Sequence, residues 1–117
     1  MKKIYYLKTC STCKRILDKL SQHHSFILQD IKDEEITVKQ LDEMKALAGS
    51  YEALFSKRAK LYKERDLKNE ILTESDFKNF ILEHYTFLQR PVIIYDQHIF
   101  IGSSKNTISK ALETINE

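Results

Sequence analysis

Cys10 and Cys13 are the residues whose type and spacing most clearly indicate chemistry. A Cys-x-x-Cys pair can act as a redox dithiol, because the second thiol is within reach of a mixed disulfide formed by the first. The pair follows a short β-like run, 3–7, and precedes a stretch with helical periodicity. A thiol at the start of a helix meets free backbone N–H groups and the positive end of the helix dipole, which favour its thiolate. The sequence therefore predicts a reactive dithiol in which Cys10, at the mouth of the helix, is the more acidic thiol.

The bulk properties narrow the classes of protein to consider. The chain has 117 residues, of which 42% are hydrophobic and 31% charged, as is usual for one folded domain. Its net charge of +2 is too small to indicate a nucleic-acid partner, and no run approaches the ~18 apolar residues of a membrane span. No signal peptide follows Met1, so a reducing cytoplasm is the expected compartment. We expect a monomer there, with the cysteines reactive rather than structural.

The apolar pattern predicts the element order β-α-β, a helical middle, then β-β-α. Residues 4–7 and 26–28 fit short strands, and the runs 91–95 and 98–101 fit a hairpin that turns at 96–97. Two helical faces are apolar: Cys13, Ile16, Leu17 and Leu20 in the first helix, and Ile108, Ala111, Leu112 and Ile115 in the last. A parallel, right-handed β-α-β unit with Cys-x-x-Cys at its first strand–helix junction indicates a thioredoxin-like α/β fold.

Helix start and stop signals are clearest in the middle of the chain. Thr37, with a glutamine three residues later, forms the pattern of a capping box, and Gly49 supplies the residue that ends the helix. Short helical pieces are expected at 51–55 and 59–64, and a further helix begins at Thr73. These signals predict a helical segment between the two halves of the sheet.

Three motifs are spread along the chain. They are Cys-Ser-Thr-Cys-Lys-Arg at 10–15, Ser-Lys-Arg-Ala-Lys at 56–60 and Gln-Arg-Pro-Val-Ile-Ile at 89–94. Their order, together with the chain length, resembles the arsenate reductase family (ArsC) and its relative, the redox regulator Spx. The resemblance covers nearly the whole chain. It implies a single thioredoxin-like domain, 1–117, with a helical insertion at about 37–83.

The resemblance also implies roles for individual residues. Cys10 is expected to be the nucleophile, and Cys13 to close a disulfide with it. Arg90 corresponds to the arginine beside the active cysteine, and Pro91 to a cis-proline that faces it and helps to form the substrate site. Thr12 is expected in the substrate site as well. For Pro91 the alternative is an ordinary proline at the start of an edge strand.

Arg58 corresponds to a basic position that lies near the bound oxyanion in the reductases. Arginine suits such a position, because its planar fork of N–H donors matches the oxygens of a tetrahedral anion. The alternative is that the stretch 57–68 is a solvated basic face balanced by neighbouring acids. Both interpretations stay open at this point.

The chain departs from the glutaredoxin-dependent reductases in two places. Their third arginine, after the hairpin, is absent from 99–103, and Cys13 is typical of the Spx branch. Two functions follow. The first is a thiol-dependent oxidoreductase that reduces an oxyanion or a disulfide, with glutathione and glutaredoxin or thioredoxin as reductant and no bound cofactor. The second is a redox-sensing transcriptional regulator that binds the α-subunit of RNA polymerase, and neither function involves direct contact with nucleic acid or membrane.

The histidines suggest one further site to weigh. Together with the two cysteines, His23 and His24 could be written as a zinc-binding set. The gap is shorter than in a zinc finger, however, and adjacent histidines do not project together, so we expect no metal site. His84 is expected to be a core or capping residue, and His98 to be exposed.

Overall fold

The computed structural model describes residues 1–20 and 23–116, apart from the side chain of His23. By its internal contacts the chain divides into two units, which we call the sheet unit, Met1–Glu34 with Arg90–Glu117, and the helical unit, Glu35–Gln89. The description of the chain as one domain with an insertion at about 37–83 stays a prediction.

Strands and helices follow one another in an order close to the predicted one. The strands are β1 (Lys2–Tyr6), β2 (Ile27–Asp30), β3 (Val92–Tyr95) and β4 (His98–Ile101). The helices are α1 (Ser11–Lys19), α2 (Val38–Ala48), α3 (Lys60–Glu64), α4 (Glu74–Glu83) and α5 (Lys105–Ile115). Short 3-10 helices occupy His23–Ser25, Glu52–Leu54, Leu67–Asn69 and Tyr85–Phe87.

The sheet unit is built on four strands in the order β2-β1-β3-β4. Strand β1 runs parallel to β2 and antiparallel to β3, and β3 pairs with β4 as an antiparallel hairpin. These pairings confirm the predicted thioredoxin-like α/β fold. Strand β2 is longer than the sequence indicated, because Gln29 and Asp30 pair with the end of β1 despite being polar. The Gln29 side chain is buried and donates to the carbonyl of Glu34 at 3.1 Å.

Both helices of the sheet unit pack their apolar stripes onto the sheet. The buried cluster contains residues from two strands, both helices and the segment before β2: Ile4, Ile93, Ile16, Leu20, Ala111, Ile115 and Phe26. Leu17, Ile108 and Leu112 pack against this cluster and are half-buried. The predicted apolar faces of α1 and α5 are therefore confirmed, and the edge of each face is partly exposed to solvent. Burial of each large apolar side chain contributes about 1.5–3 kcal/mol to the stability of this layer.

Two turns next to the hairpin need unusual backbone conformations. Asp96 has a φ of 54° at the tip of the β3–β4 hairpin, where its N–H donates to the carbonyl of Met1 at 2.7 Å. Gly102 has a φ of 85° just after β4, in the left-handed region that glycine adopts without a steric penalty. Its N–H donates to the carbonyl of Pro91 at 2.9 Å, which joins the start of β3 to the loop before α5.

The helical unit has well-formed helix ends. Thr37 and Gln40 form the predicted capping box of α2, each side chain accepting from the other residue's N–H at 3.1 Å. Gly49, with a φ of 96°, ends α2 as expected. Thr73 and Asp76 form a second capping box at α4.

An aromatic cluster holds the helical unit together. Phe55 stacks on Phe87 at 5.4 Å between ring centroids and contacts Phe77 at 4.9 Å. The Gln89 side chain donates to the carbonyls of Ala53 and Phe55 at 3.2 Å, so buried backbone oxygens at this cluster are satisfied. None of the helices in the described part of the chain is long and apolar enough to cross a membrane.

Candidate active site

Cys10 lies where β1 has ended and α1 begins, and its own side chain caps the helix. Its Sγ accepts a hydrogen bond from the N–H of Cys13 at 3.4 Å, with extended backbone angles at Cys10 itself. The Cys10 N–H donates to the carbonyl of Leu7 at 3.1 Å, and its carbonyl accepts the N–H of Lys14 at 3.2 Å. The sulfur is thus held over the free N–H groups of the first helical turn, where negative charge is stabilised.

The two thiols differ in exposure. Both cysteines are free; Cys10 is half-buried and reachable from solvent, whereas Cys13 is 0% exposed on the inner face of α1. The spacing of three residues puts the two side chains on neighbouring positions of one helical turn. The Cys10 thiol is therefore partly accessible to solvent, and the Cys13 thiol is not.

The pKa of the Cys10 thiol lies below that of an ordinary cysteine. Partial burial opposes ionisation, but it is outweighed by hydrogen bonds from the backbone and side chain of Cys13, a hydrogen bond from the Thr12 backbone, and the positive charge of Arg90. The first turn of α1 contains no acidic residue whose negative charge would raise this pKa. Cys10 is the thiol that is set up to be a nucleophile.

Burial raises the pKa of the Cys13 thiol to about 11. A hydrogen bond from the Leu7 backbone and the charge of Arg90 favour ionisation, while the hydrogen bond to Cys10 and the charge on Cys10 oppose it. Cys13 is therefore protonated at neutral pH, as expected for a thiol that acts second.

Arg90 and Pro91 belong to the same unit as the dithiol. The Arg90–Pro91 peptide bond is cis, as the family resemblance implied. Arg90 is half-buried, and its charge lowers the pKa of both cysteines, so it is within electrostatic reach of the two sulfurs. Pro91 is buried, and its carbonyl is held by Gly102 at 2.9 Å. The roles of Arg90 and Pro91 toward a substrate stay predictions.

Thr12 and Arg58 were the other predicted substrate-site residues. Thr12 is half-buried in the first turn of α1, and its Oγ1 accepts a hydrogen bond from Arg15 at 3.4 Å. Arg58 is exposed in the turn before α3, in the helical unit. The geometry thus brings Thr12 to the helix start that carries Cys10, while a contribution of Arg58 to the same site stays a prediction.

Asp30 is a supporting residue that the sequence did not reveal. Its carboxylate accepts from the N–H of Lys8 at 2.8 Å, Lys32 at 2.9 Å and Asp33 at 3.2 Å. Although slight burial opposes ionisation, these three N–H donors and the charge of Lys8 lower the pKa of the Asp30 carboxyl. Asp30 therefore ties the short loop before Cys10 to the end of β2. Its place at the end of a strand that is parallel to β1 is the only signal that could have indicated this role.

Metal ligands and histidines were the remaining sequence hypotheses. In the described ranges, no group of three or more His, Cys, Asp or Glu side chains is placed to hold a metal ion. His24 is exposed, and the side chain of His23 lies outside the described part. His84 caps the 3-10 helix Tyr85–Phe87 by accepting from the N–H of Thr86 at 3.1 Å, as expected for a capping residue. His98 is exposed, as expected.

The family of this chain follows from its match to a known family model. The model of the ArsC family matches residues 5–111. The chain belongs to the ArsC family. Its curated relatives include the global transcriptional regulator Spx 2 of Bacillus cereus, 26% identical over 112 residues that span 93% of this chain and 85% of that protein. The global transcriptional regulator Spx of Bacillus subtilis is 22% identical over 111 residues, with the same coverage of 93% and 85%.

Solved structures of ArsC-family proteins share the fold. An arsenate reductase from Vibrio cholerae superposes with a TM-score of 0.77 at 19% identity, covering 96% of this chain and 95% of that one. An ArsC-related protein from Brucella melitensis superposes with a TM-score of 0.68 at 20% identity, covering 93% and 92%. At these identities the likeness concerns the fold alone. The chain is thus similar in sequence to proteins named as transcriptional regulators, and it shares its fold with proteins named as arsenate reductases.

Proposed function

We propose that this ArsC-family protein is a thiol-dependent oxidoreductase in which Cys10 attacks an oxyanion or a disulfide and Cys13 resolves the product. The observation that carries the proposal is the asymmetry of the dithiol. Cys10 is accessible and has a lowered pKa, whereas Cys13 is buried behind it with a pKa of about 11. Thiol–disulfide exchange uses one thiolate to attack the substrate and a second thiol to attack the mixed disulfide that results.

With a disulfide substrate, the reaction would proceed in two exchanges. The Cys10 thiolate attacks one substrate sulfur, and the other substrate sulfur leaves as a thiolate and takes a proton. Cys13 then loses its proton and attacks Cys10 Sγ, which expels the remaining substrate thiol and forms the Cys10–Cys13 disulfide. The substrate gains two electrons and the dithiol loses two. A thiol reductant, glutathione with glutaredoxin or thioredoxin, restores the dithiol, and no bound cofactor is needed.

The buried thiol would be activated by the first step itself. Two influences that raise the pKa of Cys13 are the hydrogen bond to Cys10 and the negative charge on Cys10. Both disappear when Cys10 becomes covalently attached to the substrate, while the positive charge of Arg90 remains. The pKa of Cys13 is therefore expected to fall at the point in the cycle when its thiolate is needed.

With an oxyanion substrate, Cys10 would displace one oxygen as water and form a sulfur adduct. Attack of a second thiolate on Cys10 Sγ then passes two electrons to the central atom, which leaves in its reduced form. Arg90, Thr12 and Arg58 are the residues we expect to stabilise the anion. Because the third arginine of the glutaredoxin-dependent reductases is missing at 99–103, we expect arsenate reduction to be weak, with a high KM.

Steady-state turnover with several substrates tests this proposal. The wild type is expected to reduce a model disulfide, or arsenate, in the presence of glutathione and glutaredoxin or of thioredoxin. Cys13→Ser is expected to accumulate a stable adduct at Cys10, visible as a mass increase on the intact protein. The proposal is wrong if no substrate is turned over above the uncatalysed rate and Cys13→Ser traps no adduct.

A redox-sensing transcriptional regulator is the second candidate. Similarity over 93% of this chain to proteins named global transcriptional regulator Spx favours it, together with the Cys-x-x-Cys pair. In this case oxidation to the Cys10–Cys13 disulfide would alter binding to the α-subunit of RNA polymerase. A pull-down with purified α-subunit, using reduced and oxidised protein, separates the two functions. Oxidation-dependent capture without substrate turnover would favour the regulator, and turnover without capture would favour the enzyme.

A further inference from the structure

A cleft lies between α1 and α5 in the sheet unit, beside the helix start that carries Cys10. Its volume is about 310 Å³, which is at the lower end of the range for small-molecule sites. Polar residues on both sides line it: Thr12, Arg15 and Lys19 from α1, and Ser103, Lys105 and Ser109 from α5 and the loop before it. The lining residues of α1 recur at intervals of three and four, so they share one face of that helix.

The cleft carries a concentration of positive charge. Arg15, Lys19 and Lys105 line it, and in the described part of the chain none of the three takes part in a salt bridge and no acidic side chain lines the cleft. Arg15 and Lys19 are four residues apart on one helix, a spacing at which like charges repel. An anion bound between the helices would relieve this repulsion.

The length and the apolar floor of the cleft indicate which kind of anion fits it. It extends along α1 from Thr12 to Lys19, which corresponds to roughly 10 Å at the rise of an α-helix. Ile16, Ile108 and Leu112 form an apolar floor between the polar walls. A small inorganic oxyanion would engage only part of this length. A flexible molecule with two separated carboxylates and a methylene or peptide body between them would engage all of it.

One end of the cleft lies at the first turn of α1, which follows Cys10 directly. Thr12, at its upper end, is only two residues after Cys10, and its Oγ1 accepts a hydrogen bond from Arg15 at 3.4 Å. This contact links the first turn of α1 to the cationic wall. A ligand held along the cleft by its carboxylates can therefore present a further group toward the start of the helix.

We propose that this cleft binds the carboxylates of an acidic low-molecular-weight thiol, of the chemical class of glutathione, and positions its sulfur to reduce the oxidised dithiol. This inference rests on the proposed function and assigns the binding site of its reductant. The thiolate of the ligand attacks Cys10 Sγ and breaks the Cys10–Cys13 bond, and Cys13 leaves as a thiolate and takes a proton from solvent. A second ligand thiolate attacks the ligand sulfur of the mixed disulfide, which releases Cys10 as a thiolate. Two thiols become one disulfide, and the protein gains two electrons.

The test compares an acidic thiol with a neutral one on the oxidised protein. Glutathione and 2-mercaptoethanol are each reacted with the Cys10–Cys13 disulfide, and the quantity measured is the ratio of their second-order rate constants. The ratio cancels effects on the disulfide itself. In the triple variant Arg15→Gln, Lys19→Gln, Lys105→Gln we expect the ratio to fall roughly tenfold, with each single change lowering it about two- to fivefold as for exposed ion pairs. Raising the ionic strength from about 0.01 M to about 0.15 M should lower the ratio of the wild type as well.

A matched control removes the same number of charges elsewhere. Lys39, Lys68 and Lys110 are exposed and lie outside the cleft, and their triple change to glutamine alters the net charge equally. This variant should keep the ratio of the wild type, and circular dichroism should show both triple variants folded. If one triple variant does not fold, the single changes replace it. Equal ratios in the two sets of variants would overturn the assignment of the cleft. Failure of both thiols to reduce the protein would instead overturn the proposed function.

Discussion

Helices α1 and α4 begin in comparable ways but with different chemistry. At α4, Thr73 accepts the N–H of Asp76 at 3.2 Å, and the Asp76 carboxylate accepts the N–H of Thr73 at 2.8 Å, which closes the helix end with a reciprocal pair. At α1, Cys10 accepts the N–H of Cys13 at 3.4 Å, and the first turn contains no acidic residue. At α4 the first N–H groups are bonded to fixed polar side chains. At α1 the corresponding N–H groups are available to stabilise a thiolate. The reactive site is thus a helix start that lacks the acidic residue found in the first turn of α4.

The largest effect on turnover is expected when the Cys10 sulfur is replaced and the cap of α1 is kept. Serine is a good N-cap residue, so Cys10→Ser should leave α1 folded while it removes the nucleophile. Turnover is expected to fall on the order of 10³-fold or more, close to the uncatalysed rate. Kinetics with a disulfide substrate and circular dichroism check both halves of this expectation. Residual turnover near the level of the wild type would show that the chemistry does not begin at Cys10.

The second effect is a difference in alkylation between the two cysteines. At pH 7 a thiol with a pKa of about 11, such as Cys13, is ionised at only about one part in 10⁴, whereas Cys10 has a lowered pKa. Iodoacetamide should therefore label Cys10 about a hundredfold faster or more, as measured by peptide mass spectrometry over a range of pH. The rate at Cys10 should rise with pH and level off before that of an ordinary thiol does. Preferential labelling of Cys13 would reverse the roles assigned to the two sulfurs.

The third effect concerns the positive charge of Arg90, which lowers the pKa of both thiols. Arg90→Ala should raise the pKa of Cys10 and, if the arginine binds substrate, reduce kcat/KM for an oxyanion by about 10- to 150-fold, as for a lost charge-assisted hydrogen bond. Arg90→Lys is the matched variant, because it retains the charge but not the planar fork. If Arg90→Ala shows the same pH dependence of Cys10 labelling as the wild type and unchanged turnover, a role for this residue is contradicted.

A smaller effect is expected at the structural helix start. Thr73→Ala removes one half of the α4 capping box and should lower the free energy of unfolding by about 0.5–2 kcal/mol. Chemical denaturation measures this loss, and Thr73→Ser serves as the control that keeps the hydroxyl. Because the site residues Cys10, Cys13 and Arg90 belong to the sheet unit, the alkylation rate of Cys10 should stay unchanged. A changed rate would show that the two helix starts are not independent.

The smallest effect comes from giving α1 the acid that it lacks. Ser11→Asp puts a carboxylate in the first turn, where it competes with the thiolate for the same N–H groups. A dipole interaction of about 0.3–1 kcal/mol corresponds to a rise of roughly 0.2–0.7 in the pKa of Cys10. Ser75→Asp makes the equivalent change near the start of α4 and should leave that pKa unaffected. Identical labelling curves for the wild type and Ser11→Asp would contradict the comparison.

Local signals predicted much of the fold and the core of the site. The Cys-x-x-Cys pair stands between a strand and an amphipathic helix, and both the cap formed by Cys10 and the burial of Cys13 follow from that context. The capping box at Thr37 and the hairpin about Asp96 are also short-range features and are confirmed. Each of these depends on residues within a few positions of one another, where spacing alone determines which groups can meet.

Other parts of the site depend on contacts between distant positions. Asp30 accepts the N–H of Lys8, in the loop before Cys10, only because β2 is parallel to β1, and nothing in the residues around Asp30 indicates that bond. The cationic cleft arises because Arg15 and Lys105, 90 positions apart in sequence, face each other across α1 and α5. Periodicity predicted the buried faces of both helices, but it contains no information about which of their outer faces meet.

Because Cys10 caps α1, the backbone N–H of Cys13 can report the oxidation of Cys10. While Cys10 is a thiolate, the Cys13 N–H has a charged acceptor at 3.4 Å. Once Cys10 enters a disulfide, that acceptor becomes a neutral sulfur and the hydrogen bond weakens. The amide proton of Cys13 should then shift in the NMR spectrum and exchange faster with solvent. One cross-peak would thus report the redox state of the protein in solution, without a chemical probe on the thiols and without a substrate.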